Sequence, residues 1–444
     1  MSATTTASRL VPELRAICGA EYVVEDPAEL QQRAILGVAP TVAVAPGSGD
    51  EIAAIVRFAN EDGLTVVPAG GFTQQDTGRQ PGQVDVLLCT SRLTEVEHYD
   101  PGDLTVGVGA GSTVAGLTAR VAADKLFFAG DPTLPERATV GGLLATGLYG
   151  PHRHGYGGLR DYCIGIRFVT GDGRKAKGGG RVVKNVAGYD MMKLLIGSWG
   201  TLGIITSASF KLFPAPRQTR TFVALFSSAA EALEFRYQVL RSPLDPICLE
   251  IVSPQAHKLL VPASPAGTGW SICIRATGSD AVLARYRTEL GSTVVREIEG
   301  ANERGLWRRI ADFSSIAREK YPNSLLFSLT LPLRDVQAVL ADFMAIAESI
   351  GFTLGAMGRV GVGHLLVGLW PEENADVAIV NYVDSVSTLC NRLPHGVNMT
   401  VLHCPAEARD QLTMWQQPAG LESMRAVKQA LDPRDILNRG RFPL

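Results

Sequence analysis

The sequence has no C-x-x-C pair, and its seven cysteines (Cys18, Cys89, Cys163, Cys248, Cys273, Cys390 and Cys404) are odd in number. That usage fits reduced, mostly buried thiols in a cytoplasmic protein. It opposes an iron–sulfur cluster or a structural zinc held by this chain. Basic excess is missing too: 42 Lys and Arg stand against 44 Asp and Glu, a net charge of −2. A dedicated nucleic-acid binder needs that excess, so that class is disfavoured. No apolar run is long enough to span a bilayer. The N-terminus, MSATTTASRL, lacks a basic start followed by an apolar stretch, so no signal peptide is expected. Solenoid repeats and low-complexity tracts are absent. What remains is 444 residues, 46% hydrophobic and 19% charged. That is enough apolar material for a sizeable core, and the length suggests two or three domains.

Glycine is the informative excess, 47 residues, many of them between positions 63 and 203. Residues 10–35 read as one or two amphipathic helices, and TVAVAP at 41–46 as a strand. DEIAAIVRFANEDG at 50–63 reads as a helix with Asp50 at its start and Gly63 as C-cap. LTVVPAGG at 64–71 is a buried strand running into a glycine turn, which completes a β-α-β unit. DVLLCT and LTVGVGAG read as strands, GSTVAGLTARVAADK as a helix, YCIGIRFVTGDGRK as a strand and turn, and TLGIITSASFKLFPAP as a strand. After Pro216 the glycines thin out and β-α alternations follow, as expected for an α+β sheet with helices on one face.

GVGAGS at 107–112 lacks the spacing and the downstream acidic residue of a dinucleotide fingerprint, so it reads as a tight turn. PAGGFTQQDTG at 68–78 is different: a strand ends at Pro68, and successive amides in such a turn form an anion-binding nest. TVGGLLATG at 139–147 opens a helix with small residues, and GSWGTLGIIT at 197–206 places glycines before an apolar strand. Three such loops suggest a long, flat, diphosphate-bearing ligand.

The order PAGG-x-T, P-x-x-ATVGG-x-x-ATG, GP-x5-GG-x-RD and GGGRVVKNVAGYDMMKLLIGSWGTLGIIT resembles the vanillyl-alcohol oxidase-like, PCMH-type FAD-binding flavoproteins. Within them it is most similar to the FAD-binding subunits of glycolate oxidase. KNVAGYD is the specific element, and LDPRDILNRGRF resembles that family's ending. The first 40 residues are more similar to the family's catalytic 2-hydroxy-acid dehydrogenase subunits. The resemblance implies an α+β fold: a two-subdomain FAD-binding domain at 1–216, a ferredoxin-like cap at 217–400, and a segment at 401–444 returning to the FAD domain. It implies that Pro68, Ala69, Gly70, Gly71, Phe72, Thr73 and Gln74 cradle the FAD diphosphate. Thr139, Gly141, Gly142, Ala145 and Thr146 would lie along the diphosphate, ribityl and ring; Arg160 would sit near the flavin loop; Gly203 and Ile205 would meet the adenine side. Some members attach FAD through a histidine where Phe72 stands here, so the FAD is expected to be non-covalent.

The resemblance also marks departures. Catalytic relatives bind a metal in the cap with a pattern like H-A-G-D-G-N-L-H. The matching stretch is RVGVGHLLV, with Arg359 and Leu366 at the histidine places and His364 out of register. No metal is therefore expected, and direct hydroxy-acid oxidation is put in doubt. Arg359 reads either as a carboxylate binder or, preferably, as a surface or structural arginine. His152 and His154 read equally as a general base or as loop-shaping residues. Trp199 packs on adenine or on the core; Tyr189 and Asp190 cap the next helix; Lys184 and Asn185 carry no assignable chemistry; Trp307, Arg308 and Arg309 form a helix face.

The expected function is an FAD subunit of a glycolate oxidase-like 2-hydroxy-acid dehydrogenase. It would take electrons from a catalytic FAD subunit toward an iron–sulfur subunit, with any membrane association made through partners. The alternative is a self-sufficient FAD-linked dehydrogenase or oxidase of a small 2-hydroxy acid such as D-lactate. A scaffold that lost FAD is opposed by the intact glycine loops, and an NADPH-dependent reductase by the lack of a nicotinamide signal.

Overall fold

The computed structural model describes residues 3–181, 188–261, 269–372 and 378–442. The chain divides into two compact units: Met1–Tyr149, Gly158–Pro214 and Gln417–Leu444 form one, and Gly150–Gly157 with Ala215–Gln416 form the other.

In the first unit, a small sheet is ordered Val23–Val24, Val42–Val44, Val86–Cys89, Val66–Ala69, parallel except for its first pair. The expected β-α-β unit therefore exists, but Val86–Cys89 inserts between its two strands. Its helix spans Gly49–Asp62. Ser48, not Asp50, is the N-cap: its hydroxyl accepts from the Glu51 amide at 3.1 Å, and the Glu51 carboxylate accepts from the Gly47 amide at 2.8 Å. Gly63 ends the helix in the left-handed region at φ +70°, as its lack of a Cβ allows. Ile52, Ile55, Val56 and Ala59 recur at helical spacing and bury against Leu10 and Leu14 of the N-terminal helix.

A second sheet of this unit is antiparallel, ordered Val96–Asp100, Thr105–Gly109, Ile204–Lys211, Cys163–Val169, Lys175–Gly179. The C-terminal segment returns to this unit and covers the edge strand: Val66 donates to Ile436 O at 2.8 Å and Asn438 to Val66 O at 2.9 Å. Lys428, on the helix Leu421–Leu431, is buried; it pairs with Asp432 at 2.6 Å and donates to Thr201 O at 3.0 Å.

The second unit holds one eight-stranded antiparallel sheet. Its order is Val294–Glu299, Thr219–Phe226, Trp270–Thr277, Cys248–Val252, Phe352–Arg359, His364–Pro371, Leu325–Thr330, Asn398–His403. In chain order the first half lies 4-1-3-2 and the second half 2-3-1-4, so two ferredoxin-like β-α-β-β-α-β modules join edge to edge at Cys248–Val252 and Phe352–Arg359. The ferredoxin-like expectation holds, doubled. The boundaries shift: strand Asn398–His403 pairs with Leu325–Thr330, so the return to the first unit starts at Gln417 rather than 401. One face of the sheet meets helices 229–241, 280–290, 336–349 and 379–392 through an apolar core that includes Phe222, Ile251, Ile274, Phe327 and Val367. The alternate residues face the other way and include Thr221, Glu250, Arg275, Ser328, Arg359 and His364, and the helices Pro254–Leu260, Gly300–Ala311 and Phe313–Lys320 lie on that side, contrary to the one-faced expectation.

Candidate functional site

The three glycine loops lie together in the first unit. Pro68 and Ala69 close the strand Val66–Ala69, and the chain turns through Gly70 and Gly71 because neither has room for a side chain. A Cβ on Gly70 would lie 2.2 Å from Thr139 Oγ1, and one on Gly71 would lie 1.7 Å from Arg137 O. Phe72 takes φ +57° and packs against the small cluster that contains Leu30, Ile35, Val67 and Leu87. The third loop leans on the second: Gly197 donates to Leu144 O at 3.0 Å and Trp199 to Ala145 O at 2.7 Å. It also meets the first, since a Cβ on Gly200 would lie 2.7 Å from Pro68 Cγ.

The amides of Gly70, Gly71, Phe72, Thr73 and Gln74 donate to nothing among the described residues, and these residues are only half-buried. Successive unpaired N–H groups of this kind are a nest for an anion. The helix Val140–Thr146 behaves otherwise. Its first amides are already taken: Val140 donates to Ser112 O, Gly141 to Ala110 O, and Gly142 to the N-cap Thr139 Oγ1 at 3.2 Å. Gly141 is buried, and a Cβ there would lie 2.8 Å from Ala110 Cβ. The expected anion-binding helix start is therefore closed by the protein itself, and Thr139 and Gly141 serve the packing of this turn. Gly142 is the open one, with only Thr139 Oγ1 of the described residues within reach of a Cβ, at 3.1 Å. Ala145 and Thr146 are half-buried, and the Thr146 hydroxyl bonds back to Gly142 O at 3.0 Å.

Arg160 is exposed and donates to Ile196 O at 3.1 Å, which ties it to the third loop. Gly203 is buried against Phe168, 2.8 Å from a would-be Cβ, and Ile205 pairs with Phe168 in the sheet. Lys184 and Asn185 lie outside the described residues. Asp190 makes no capping bond; it pairs with Lys193 at 2.7 Å, and Tyr189 is 88% exposed. Trp199 holds φ +54°, and its ring lies 6.3 Å from that of Phe442.

The polar face of the second unit's sheet carries two buried arginine networks. Arg275 forms a forked pair with Glu303, 2.7 Å and 3.1 Å, and Glu303 also accepts from Thr219 and Thr221. Trp307 is buried rather than on an open helix face, donating to Thr221 Oγ1 at 2.7 Å. Arg308 pairs with Asp312, while Arg309 donates to the Leu259 and Leu260 carbonyls. Arg275 Nη1 stands 2.8 Å from His152 Nε2. A guanidinium only donates, so this nitrogen is the acceptor. Burial, then the Arg275 charge, pushes the His152 pKa down to about 3.

Arg359, 1% exposed, is not at the surface. Its Nη1 donates to His364 Nδ1 at 2.7 Å, and its Nε lies 3.6 Å from Glu250 Oε1. His364 then carries its proton on Nε2, facing Ser328 Oγ at 3.1 Å. Burial, then Arg359 and Arg153, hold its pKa well below the usual value. Both histidines are neutral with their lone pairs engaged, so the general-base option for His152 fails on geometry. His154 is held neutral mainly by burial, and its Nδ1 has no partner among the described residues. Among the described residues no group of three or more His, Cys, Asp or Glu is placed to hold a metal ion.

Comparison with known proteins agrees with this geometry. The FAD binding domain family matches residues 40–177, and the family of FAD linked oxidases, C-terminal domain, matches residues 215–442. The chain belongs to the FAD-linked oxidases. Its cofactor is FAD, and the unpaired nest and the open flank at Gly142 fit a diphosphate-bearing group. Glycolate oxidase subunit GlcD of Bacillus subtilis is 28% identical over 429 residues, 91% of this chain and 89% of that protein. Glycolate oxidase subunit GlcE of Escherichia coli is 36% identical over 198 residues, 44% of this chain and 55% of that one. In fold the chain is similar to p-cresol methylhydroxylase with substrate bound, with a TM-score of 0.77, 15% identity and coverage of 99% and 97%. That likeness confirms the PCMH-type fold.

Sequence reasoning missed Gln75, Asn438 and Arg441 as parts of this site. Arg441 is 366 positions from Gln75, and no local pattern links them.

Proposed function

We propose that this FAD-linked oxidoreductase is the FAD-binding, electron-passing subunit of a glycolate oxidase-like 2-hydroxy-acid dehydrogenase. The observation that carries the reading is the state of the histidines on the polar face of the second unit's sheet. A hydroxy-acid oxidase must take a proton from its substrate's hydroxyl, and a histidine there needs a free lone pair. His152 and His364 present theirs to arginines, whereas His154 Nδ1 has no partner among the described residues, so His154 is the imidazole on which the opposite reading would rest. The bound flavin supplies the electron chemistry; this chain's residues hold it, orient it and exclude water. The nest of residues 70–74 holds the diphosphate, Gly142, Ala145 and Thr146 flank the ribityl and ring, and Arg160, Gly203 and Ile205 support the neighbouring loop and adenine side. The partners are a catalytic FAD subunit and an iron–sulfur subunit, in the cytoplasm. No helix among the described residues is long and apolar enough to cross a membrane, so membrane association would come through those partners.

The test is a visible spectrum of the purified lone chain, taken anaerobically before and after glycolate and D-lactate. The expected result is flavin peaks that stay oxidised with either acid. Bleaching would instead make the chain a complete hydroxy-acid dehydrogenase, the reading favoured by the near full-length similarity to subunit GlcD. Acid denaturation should release all yellow colour into the supernatant, because Phe72 offers no atom for attachment. Flavin remaining on the polypeptide would refute non-covalent binding.

A further inference from the structure

The family-like ending LDPRDILNRGRF does more than cover a sheet edge. Arg441 is 4% exposed, and its fork reaches into the first glycine loop. Nη1 donates to Gln75 Oε1 at 2.7 Å, while Nη2 donates to Gln75 O at 2.7 Å and to Thr77 O. Gln75 passes the connection on: its Nε2 donates to Pro68 O at 2.9 Å. The relay from Arg441 through Gln75 to Pro68 therefore joins the exit of the loop to its entry. The unpaired amides of Gly70 to Gln74 lie between those two fixed points. The tail that carries Arg441 is itself anchored on the strand at Val66, and Asn438 Nδ2 donates to Trp199 O at 2.5 Å in the third loop.

We propose that Arg441 is a positioning residue for the FAD diphosphate, acting through Gln75 to hold the 70–74 nest in its binding conformation before the cofactor arrives. The inference rests on the FAD reading above. A nest built from flexible backbone binds weakly unless its ordering is complete in advance. Three acceptors on two residues need the planar fork of an arginine; the point charge of lysine cannot span them.

The experiment uses the full chain stripped of flavin, with FAD titrated back by fluorescence. Arg441→Met, Arg441→Lys, Gln75→Leu and the Arg441→Met/Gln75→Leu double variant are compared with the parent. Amide hydrogen exchange over residues 70–77 is followed in the apo-protein. Arg441→Met should weaken FAD by roughly tenfold or more, the scale of one or two charge-assisted hydrogen bonds. It should also speed exchange in the loop while leaving exchange in the second unit unchanged. Gln75→Leu should act in the same direction, and the double variant should be no worse than Arg441→Met, because both cut one relay. Arg441→Lys should recover less than half of the loss. Strictly additive losses, unchanged loop exchange, or an Arg441→Met chain that binds FAD as tightly as a binding-competent parent would overturn the brace alone. A parent that takes up no FAD would overturn the cofactor reading and the role of Arg441 with it.

Discussion

Gly142→Leu should give a folded chain that has lost its flavin. The position lies in the short helix Val140–Thr146, where replacing glycine adds helix propensity of about 1 kcal/mol. A Cβ there meets only Thr139 Oγ1 among the described residues, at 3.1 Å, so the fold need yield by only a few tenths of an ångström. The apo-protein should therefore melt within a few degrees of the parent, while FAD affinity falls by roughly a hundredfold or more, since the leucine fills the flank the cofactor needs. Gly71→Ala supplies the contrast. Its Cβ would lie 1.7 Å from the Arg137 carbonyl, so the turn must move, and both flavin binding and apo-stability should fall together. Gly141→Leu resembles Gly71→Ala rather than Gly142→Leu, because its neighbour is Ala110. Differential scanning fluorimetry of the apo-forms beside FAD titration separates the two classes. A Gly142→Leu chain with full flavin content would remove that glycine from the site.

The glycine loops were legible because short-range patterns make them: strand, glycine turn, polar run. The helix Gly49–Asp62 was legible for the same reason, apart from its cap, where Ser48 outcompeted Asp50. What was not legible depended on partners far apart in the chain. The insertion of Val86–Cys89 between two strands of an apparent β-α-β unit is a choice of neighbours that alternation cannot encode. The doubling of the ferredoxin-like module is hidden because the two halves share topology without a shared sequence signal. The glycines at 70, 71 and 141 read as room for a ligand, yet each makes room for another protein segment. A missing Cβ signals close approach without saying of what. Arg359 and His152 are the same lesson in charge: the sequence shows a cation and an imidazole, and only the fold shows Arg359 buried beside Glu250 and His152 bonded to Arg275.

Arg275→Met should destabilise the second unit by about 3–5 kcal/mol, the cost of breaking a buried pair from one side. Glu303 is 0% exposed and would be left, among the described residues, with the Thr219 and Thr221 hydroxyls. Charge removal from the other side, Glu303→Gln, strands Arg275 instead, so the two single losses should be large and the Arg275→Met/Glu303→Leu pair should recover much of the stability. The same substitution has a pH signature. His152 has a folded pKa of about 3, below the ordinary histidine value of 6.5, so it is neutral in the native state while the unfolded chain binds a proton below about 6.5. Stability contributed this way is complete above that unfolded value and is lost as pH falls through the window from 6.5 toward 3, because the unfolded state then holds more protons. His364, depressed in the same direction, adds to the slope. Removing Arg275 takes away the cation beside His152 and frees its Nε2, so its pKa should rise although burial continues to hold it down. The parent should therefore lose thermal stability as pH falls below 6.5, and Arg275→Met, starting lower, should lose less in the acid part of the window, as pH approaches its raised folded pKa. Parallel pH profiles for the two chains through that window would show that Arg275 does not occupy the His152 lone pair, and the base role would reopen at that imidazole.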